Sequence, residues 1–265
     1  MESREGREVP DVEVNHGRNG AWQPLRSGLV FSGKRIVAFG LPGAFTPTCS
    51  SAHVPRFEEL APAFAQQGID ELLCIAVNDP YVLEAWRRSE GVSRLSFLAD
   101  GNGDFTRKLG MLVDKRAEGL GERSWRYAMV VRDGVIEKMF VEAERSGDPY
   151  QVSSADNVLH WLDPGGRRPP DIFMLGREGC SYCERARALL EERQLEFEEV
   201  AANPRRLKAV SGRETTPQIF VDGEYVGGCD DLEAYLEGHA LEFPRRGESR
   251  GRGPSGSWWC HRFFE

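Results

Sequence analysis

The sequence contains no run of about 18 apolar residues, the length that a bilayer-spanning helix requires. Its first residues, MESREGREVPD, are charged and lack an apolar core, so no secretory signal is expected there. Basic residues are in the minority, since 34 lysines and arginines face 42 aspartates and glutamates, for a formal net charge of -8. These absences argue against a membrane span and export. They also argue against nucleic acid or an anionic lipid surface as the main partner.

Cysteine is scarce, because six residues in a chain of 265 are too few for a disulfide-built scaffold. Without an export signal, the six are expected to be thiols in a reducing compartment, and the chain is expected to be cytoplasmic. With 40% apolar residues, a chain of this length is sufficient for two domains.

Residues 1–162 alternate between predicted strands and helices, which indicates an α/β layered domain. Apolar runs predict strands at 34–41, 71–79 and 95–100 and a hairpin over 126–142. Helical spacing of apolar residues predicts helices at 49–66, kinked at Pro55, at 80–89 and at 154–162.

Residues 163–170, DPGGRRPP, predict a linker, because their three prolines and two glycines interrupt both helix and strand. Residues 171–240 then follow the order β-α-β-α-β-β-α, with a CxxC motif at the first helix, which predicts a thioredoxin-like fold. The last segment, 241–265, is rich in Arg, Gly and Ser before it turns aromatic, and is predicted to be disordered.

The CxxC motif, Cys180 and Cys183, predicts a redox-active pair. The first thiol is expected at an exposed helix N-terminus and the second one turn inward. A structural zinc site would need four ligands, but Cys229 and His239 are isolated, so no metal site is predicted.

The motifs CSYC, TTP and GGCDD occur in that order, and with them residues 171–239 resemble a glutaredoxin. The resemblance implies glutathione as ligand, in a groove that has Tyr182 along its wall and the cis proline Pro217 at one end. It also implies three contacts with glutathione: Arg177 with the glycine carboxylate, Thr216 with the cysteine backbone and Asp230 with the γ-glutamyl end. The simpler role for Asp230 is a helix N-cap. Ser181 departs from the family's usual proline, a change associated in some glutaredoxins with a bridging iron–sulfur cluster, which stays open here.

One cysteine of the first domain, Cys49, lies where a turn becomes a helix, in the stretch PGAFTPTCSSAHVPRFEEL. It could be a small buried hydrophobe, or a thiolate stabilised by the free N–H groups of the helix start.

The same stretch, taken with RSWRYAMVVRDGVIEK, resembles the peroxiredoxins of the fifth subfamily, called type II in plants, over residues 5–162. The resemblance implies that Cys49 is the peroxidatic thiol, surrounded by Pro42, Thr46 and Arg126. The Thr46 hydroxyl, the Cys49 N–H and Arg126 are then the expected donors to the peroxide, and Pro42 keeps water away. The fold class that follows is α/β, with two thioredoxin-like folds in tandem, the first elaborated as in peroxiredoxins.

Four other residues keep open roles. Cys74 is either a buried core thiol, which we favour, or a resolving cysteine like the one that plant relatives carry at this spacing. His53 either approaches the pocket or, as is more common for a histidine on a helix face, packs against the protein or faces solvent. Cys229 is expected to contribute through its backbone, and Cys260 to be a spare exposed thiol.

The function expected is a glutathione-dependent peroxidase acting on hydrogen peroxide and alkyl hydroperoxides, without a permanently bound cofactor or metal. Glutathione is the expected co-substrate, and a homo-oligomer is expected from the subfamily. Two alternatives stay open: a thioredoxin-reduced Cys49–Cys74 peroxidase with an independent glutaredoxin, and a redox-switched sensor or holdase.

Overall fold

The computed structural model of the chain describes residues 1–145, 147–166, 170–193 and 195–239. Its contacts separate the chain into two units that divide between residues 169 and 170. Each unit combines helices with a central β-sheet, so the predicted α/β class is confirmed. Residues 167–169 of the predicted linker and the predicted tail at 241–265, with Cys260, lie outside the described residues.

The first unit is built on a seven-stranded sheet with the order β2-β1-β5-β4-β3-β8-β9. Its strands are β1 (Glu13–Arg18), β2 (Ala21–Arg26), β3 (Arg35–Leu41), β4 (Glu71–Ala76), β5 (Ser96–Ala99), β8 (Tyr127–Arg132) and β9 (Val135–Val141). Strands β6 (Leu112–Asp114) and β7 (Glu122–Ser124) form a separate pair. The helices are α1 (Ser27–Phe31), α2 (Val54–Glu59), α3 (Ala61–Gln66), α4 (Pro80–Ser89), α5 (Asp104–Leu109) and α6 (Ala155–Leu162).

Both faces of the central strands are buried, as their apolar sequences predict. All six residues of β4 are buried. Phe39 and Cys74 belong to the core on one face, while Ile36 and Leu73 belong to the core on the other. This alternation confirms the prediction of a central strand that is covered on each side.

The single helix predicted over 49–66 is wrong. The structure has a π-turn at Cys49–His53, then α2, then α3. The Val54 N–H donates to the Cys49 carbonyl, which closes the wide turn. Pro55 and Pro62 have no N–H to donate to the carbonyls four residues earlier, so an uninterrupted α-helical bond pattern cannot run through this segment.

The second unit has a four-stranded sheet with the order β11-β10-β12-β13. Its strands are β10 (Ile172–Gly176), β11 (Glu198–Ala201), β12 (Gln218–Val221) and β13 (Glu224–Gly227), and its helices are α7 (Ser181–Glu192), α8 (Pro204–Ser211) and α9 (Cys229–Gly238). The predicted order of elements is confirmed, and the Thr216–Pro217 bond is cis, as predicted. None of the helices in the described part of the chain is long and apolar enough to cross a bilayer.

Candidate active sites

The loop between β3 and the π-turn places Cys49 at the end of the central sheet. Pro42 is buried directly after β3, and Cys49 begins the π-turn with its side chain fully buried. The loop is fixed from the side, since the Ala44 N–H donates to Asn78 Oδ1 at 3.1 Å. The Thr46 hydroxyl donates to the Gly43 carbonyl at 2.8 Å. With its proton engaged there, Thr46 offers lone pairs toward a ligand, whereas the sequence predicts a donor.

Arg126 lies between β7 and β8 and brings a buried positive charge to the thiol. Its Nη1 is 3.5 Å from Cys49 Sγ, and its Nη2 donates to Asp148 Oδ1. Burial opposes the charge, but the nearby Cys49 and Asp148 outweigh it and hold the pKa of Arg126 above its ordinary value. The Arg126 Nε is buried without a hydrogen-bond partner among the described residues, so one donor of the fork is free.

His53 contacts the same guanidinium from the far end of the π-turn. Its Nδ1 is 3.0 Å from Arg126 Nη1, and its Nε2 is 3.2 Å from the Ser153 carbonyl. Burial and the charge of Arg126 hold the pKa of His53 well below its ordinary value. Because arginine can only donate, Nδ1 accepts, and the neutral ring carries its proton on Nε2 toward Ser153. Of the roles left open for His53, the structure therefore favours the one near the reactive cysteine, because His53 contacts Arg126 directly.

The segment that follows β9 supplies the remaining contacts to Arg126. The buried Glu142 carboxylate organises it by accepting from the Gln151 N–H at 2.7 Å and from the N–H and hydroxyl of Ser153. The same segment carries Asp148 and also Tyr150, whose ring lies 5.7 Å from the guanidinium of Arg126. Sequence reasoning missed these residues, because no motif in the segment marks them.

Cys74 is fully buried in the middle of β4, opposite Phe39 of β3 and Phe97 of β5. It is a free thiol. Its pKa is raised well above the ordinary value, mainly by burial and to a smaller extent by the charge at Cys49. A protonated, enclosed thiol is a poor nucleophile, so the structure favours the core role.

The second site lies at the start of α7. Cys180 is 9% exposed, and its Sγ accepts from the Cys183 N–H at 3.3 Å and from the Thr216 hydroxyl at 3.4 Å. Burial raises the pKa of Cys180, but the hydrogen bonds from Cys183 and Thr216 outweigh it and leave that pKa lowered. Cys183 is fully buried, and burial together with Cys180 raises its pKa. Cys180 is thus the more accessible and more acidic thiol.

A groove of about 420 Å³ opens beside Cys180. It brings together Arg177, Tyr182 and Thr216 of the predicted glutathione contacts, with Glu214 and Thr215 beside them. Asp230 does not line this groove, and its carboxylate pairs with Arg185. Cys229 is the buried first residue of α9, and burial raises the pKa of its thiol.

Comparisons with known proteins assign a family to each unit. Residues 4–159 match the Redoxin family model, and residues 171–226 match the Glutaredoxin family model. The hybrid peroxiredoxin hyPrx5 of Haemophilus influenzae is 45% identical over 240 residues, which are 89% of this chain and 100% of that protein.

Two solved structures resemble the first unit. The 1-Cys peroxiredoxin antioxidant protein of Plasmodium falciparum is 34% identical with a TM-score of 0.59, over 62% of this chain and 100% of that one. Reduced Prx3 of Vibrio vulnificus, in complex with hydrogen peroxide, is 35% identical with a TM-score of 0.57, over the same shares. The predicted tandem of thioredoxin-like folds is confirmed. The chain therefore belongs to the peroxiredoxins, in the hybrid form that joins a peroxiredoxin to a glutaredoxin.

Proposed function

We propose that this peroxidase reduces hydrogen peroxide and alkyl hydroperoxides with glutathione as its reductant. The observation that carries the proposal is the buried Cys49 thiol 3.5 Å from Arg126 Nη1, with the Arg126 Nε donor unpaired within the part of the chain that the structure describes. The hydrogen peroxide named in the Vibrio vulnificus complex supports the substrate class for this chain.

In the first step, the Cys49 thiolate attacks one peroxide oxygen and the O–O bond breaks. The sulfur becomes a sulfenic acid, and the departing oxygen takes a proton and leaves as water or an alcohol. Thiolate formation alone supplies only about a tenfold gain over an ordinary thiol. Charged donors aimed at the departing oxygen must supply the remainder, and such a donor is typically worth about 3–4 kcal/mol. Arg126, fixed by His53 and Asp148, is placed to be that donor.

In the later steps, one glutathione condenses with the sulfenic acid, releases water and forms a mixed disulfide on Cys49. The Cys180 thiolate attacks the glutathione sulfur of that disulfide, which frees the Cys49 thiolate. A second glutathione attacks the Cys180 mixed disulfide and leaves as glutathione disulfide, so two electrons enter per peroxide. The proposed cycle uses only cysteine and glutathione sulfur atoms, without a permanently bound cofactor or metal. A flavin reductase elsewhere regenerates glutathione from its disulfide. We also propose that the protein is cytoplasmic and forms homo-oligomers.

The test is steady-state peroxide consumption by the full-length protein with glutathione as the sole reductant, compared with thioredoxin and its reductase as the sole reductant. We expect sustained turnover with glutathione, and none in the Cys49→Ser variant. Mass spectrometry of peroxide-treated protein should show no dominant Cys49–Cys74 disulfide, because Cys74 is enclosed. Turnover with thioredoxin alone, together with that disulfide in most molecules, would overturn the proposal.

A further inference from the structure

A cluster of charged side chains borders the second unit's groove on the side of Tyr182. Arg185 lies one helical turn after Tyr182 on α7, and its guanidinium is 5.7 Å from the centre of the Tyr182 ring. The Nη2 of the same guanidinium pairs with Asp230 and lies 3.3 Å from Glu233 Oε2, both on α9. Arg185 therefore connects a wall of the thiol groove to two carboxylates.

Helix capping does not require this cluster. The N-terminus of α9 is capped by Asp231, whose Oδ2 accepts from the Gly228 N–H at 2.8 Å. The neighbouring Asp230 side chain is 78% exposed, and that of Arg185 is 44% exposed. Both ion-pair contacts use Nη2, and the guanidinium also contacts the Cys229 side chain, so two carboxylates and one thiol share its five N–H donors. The Asp230 and Arg185 side chains are both exposed to solvent, and although neither lines the groove, Arg185 contacts Tyr182, which does.

A guanidinium next to a carboxylate is complementary to an ammonium next to a carboxylate. The γ-glutamyl end of glutathione carries that pair of charges on one carbon atom. We propose that Arg185 is a specificity-determining residue that receives the γ-glutamyl α-carboxylate, while Asp230 and Glu233 receive the ammonium. This rests on the proposed use of glutathione, and it adds a cation to the acidic contact expected from the family resemblance.

The experiment compares three tripeptide thiols, each presented as a mixed disulfide with a model cysteine peptide, using the full-length protein. Glutathione carries both charges. Its analogue 4-aminobutyryl-Cys-Gly lacks the α-carboxylate, and glutaryl-Cys-Gly lacks the ammonium. The measured quantity is kcat/KM for release of the model peptide, for the wild type and for Arg185→Met, Arg185→Lys and Asp230→Asn. Arg187→Met is the matched control, because Arg187 lies on the same helix but pairs with Glu199 of β11.

We expect Arg185→Met to reduce the preference for glutathione over the 4-aminobutyryl analogue by up to roughly fivefold, the upper end for a partly exposed ion pair. The preference of Arg185→Met for glutathione over the glutaryl analogue should stay unchanged. Asp230→Asn should instead lose preference over the glutaryl analogue and keep its preference over the 4-aminobutyryl analogue. Arg185→Lys should recover part of the preference, since it keeps the charge.

Equal losses for all three thiols in Arg185→Met would overturn the proposal and make Arg185 a structural residue only. An unchanged preference would overturn it as well. If the wild type releases the model peptide from none of the three mixed disulfides, the proposed use of glutathione fails, which is a result distinct from the failure of the Arg185 assignment.

Discussion

At the scale of single residues, each arm of the Arg126 guanidinium has its own partner. Nη1 lies between Cys49 Sγ and His53 Nδ1, and Nη2 is held by Asp148. The fork therefore has one orientation, which also fixes Nε, the nitrogen that has no partner among the described residues. A charged donor that needs no reorganisation during the reaction is worth more than a mobile one.

This arrangement predicts that His53→Phe and His53→Asn differ. Phe keeps the aromatic packing against Phe39 but loses the acceptor, whereas the Asn side-chain oxygen can take the place of Nδ1. Loss of a hydrogen bond to a charged group costs about 1.5–3 kcal/mol, so we expect kcat/KM for peroxide to fall roughly 10- to 100-fold in His53→Phe.

The Asn variant should retain most of that activity. If the two variants behave alike, His53 contributes packing and does not orient Arg126.

Sequence motifs found the reactive atoms but not what surrounds them. The spacing around Cys49 and the CxxC at Cys180 are local patterns, so they could be recognised without a structure. Asp148 could not, because it lies about 100 residues from Cys49 in an unpatterned segment that the buried Glu142 folds back. At the start of α9, the sequence favours Asp230 as the helix cap, but Asp231 caps the helix and Asp230 pairs with Arg185. The directions of these two adjacent side chains cannot be read from the sequence.

At the scale of secondary structure, long buried elements were predictable and short exposed ones were not. The hairpin of β1 and β2 was missed because β2 is exposed along most of its length and contains Pro24, which is tolerated on an edge strand. Helix α5 was missed because it is flanked by Gly103 and Gly110, both with positive φ, in a segment that reads as a loop.

One ion cluster joins strands β1 and β4 to the residue that precedes β3. Glu71 of β4 accepts from His16 of β1 at 2.9 Å and from Lys34, just before β3, at 2.8 Å. Its side chain is only 4% exposed. Burial opposes its charge, but the hydrogen bonds to His16 and Lys34 outweigh burial and lower the pKa of Glu71 to about 2.

This lowered pKa predicts acid sensitivity. A carboxyl whose pKa is lower in the folded state than in the unfolded one stabilises the fold above its unfolded value of 4.5, and that contribution is lost as the pH falls from 4.5 toward 2. The difference corresponds to roughly 3 kcal/mol.

In the Glu71→Gln variant the side chain is neutral at every pH, like the protonated carboxyl of Glu71. We therefore expect its free energy of unfolding in denaturant to lie about 3 kcal/mol below the wild type at pH 7. The two should converge near pH 2. A gap that stays constant with pH would assign the loss to packing.

At the scale of the whole molecule, the peroxiredoxin and glutaredoxin units are expected to act in sequence on one glutathionyl group. Cys180 has the lowered pKa for the transfer and is 9% exposed, less than the exposed thiol that the sequence predicts, while Cys183 is fully buried. Cys180→Ser should therefore nearly stop peroxide turnover with glutathione, and Cys183→Ser should largely preserve it. The assay is glutathione consumption after peroxide is added to the full-length variants.

Mixing two inactive full-length variants tests whether the covalent connection between the two units speeds the transfer. Cys49→Ser supplies an intact CxxC to Cys180→Ser, and we expect recovery that rises with the concentration of the added chain. Tethered domains typically meet at an effective concentration near the millimolar range, so micromolar mixtures should stay slower than the wild type. Normal turnover by Cys180→Ser alone would show that the glutaredoxin unit has another task.

In the proposed cycle, the π-turn at Cys49–His53 has a consequence for how fast glutathione can act. Cys49 is fully enclosed, so we expect glutathione to reach its sulfenic acid only after the turn opens. The Val54 N–H closes this turn on the Cys49 carbonyl, and Pro55, the next residue, has no N–H to donate. We expect the much smaller peroxide to enter with less movement. At high peroxide the sulfenic acid would then wait for the opening while further oxidant arrives, so the opening rate of this turn should decide how much enzyme is lost to irreversible oxidation.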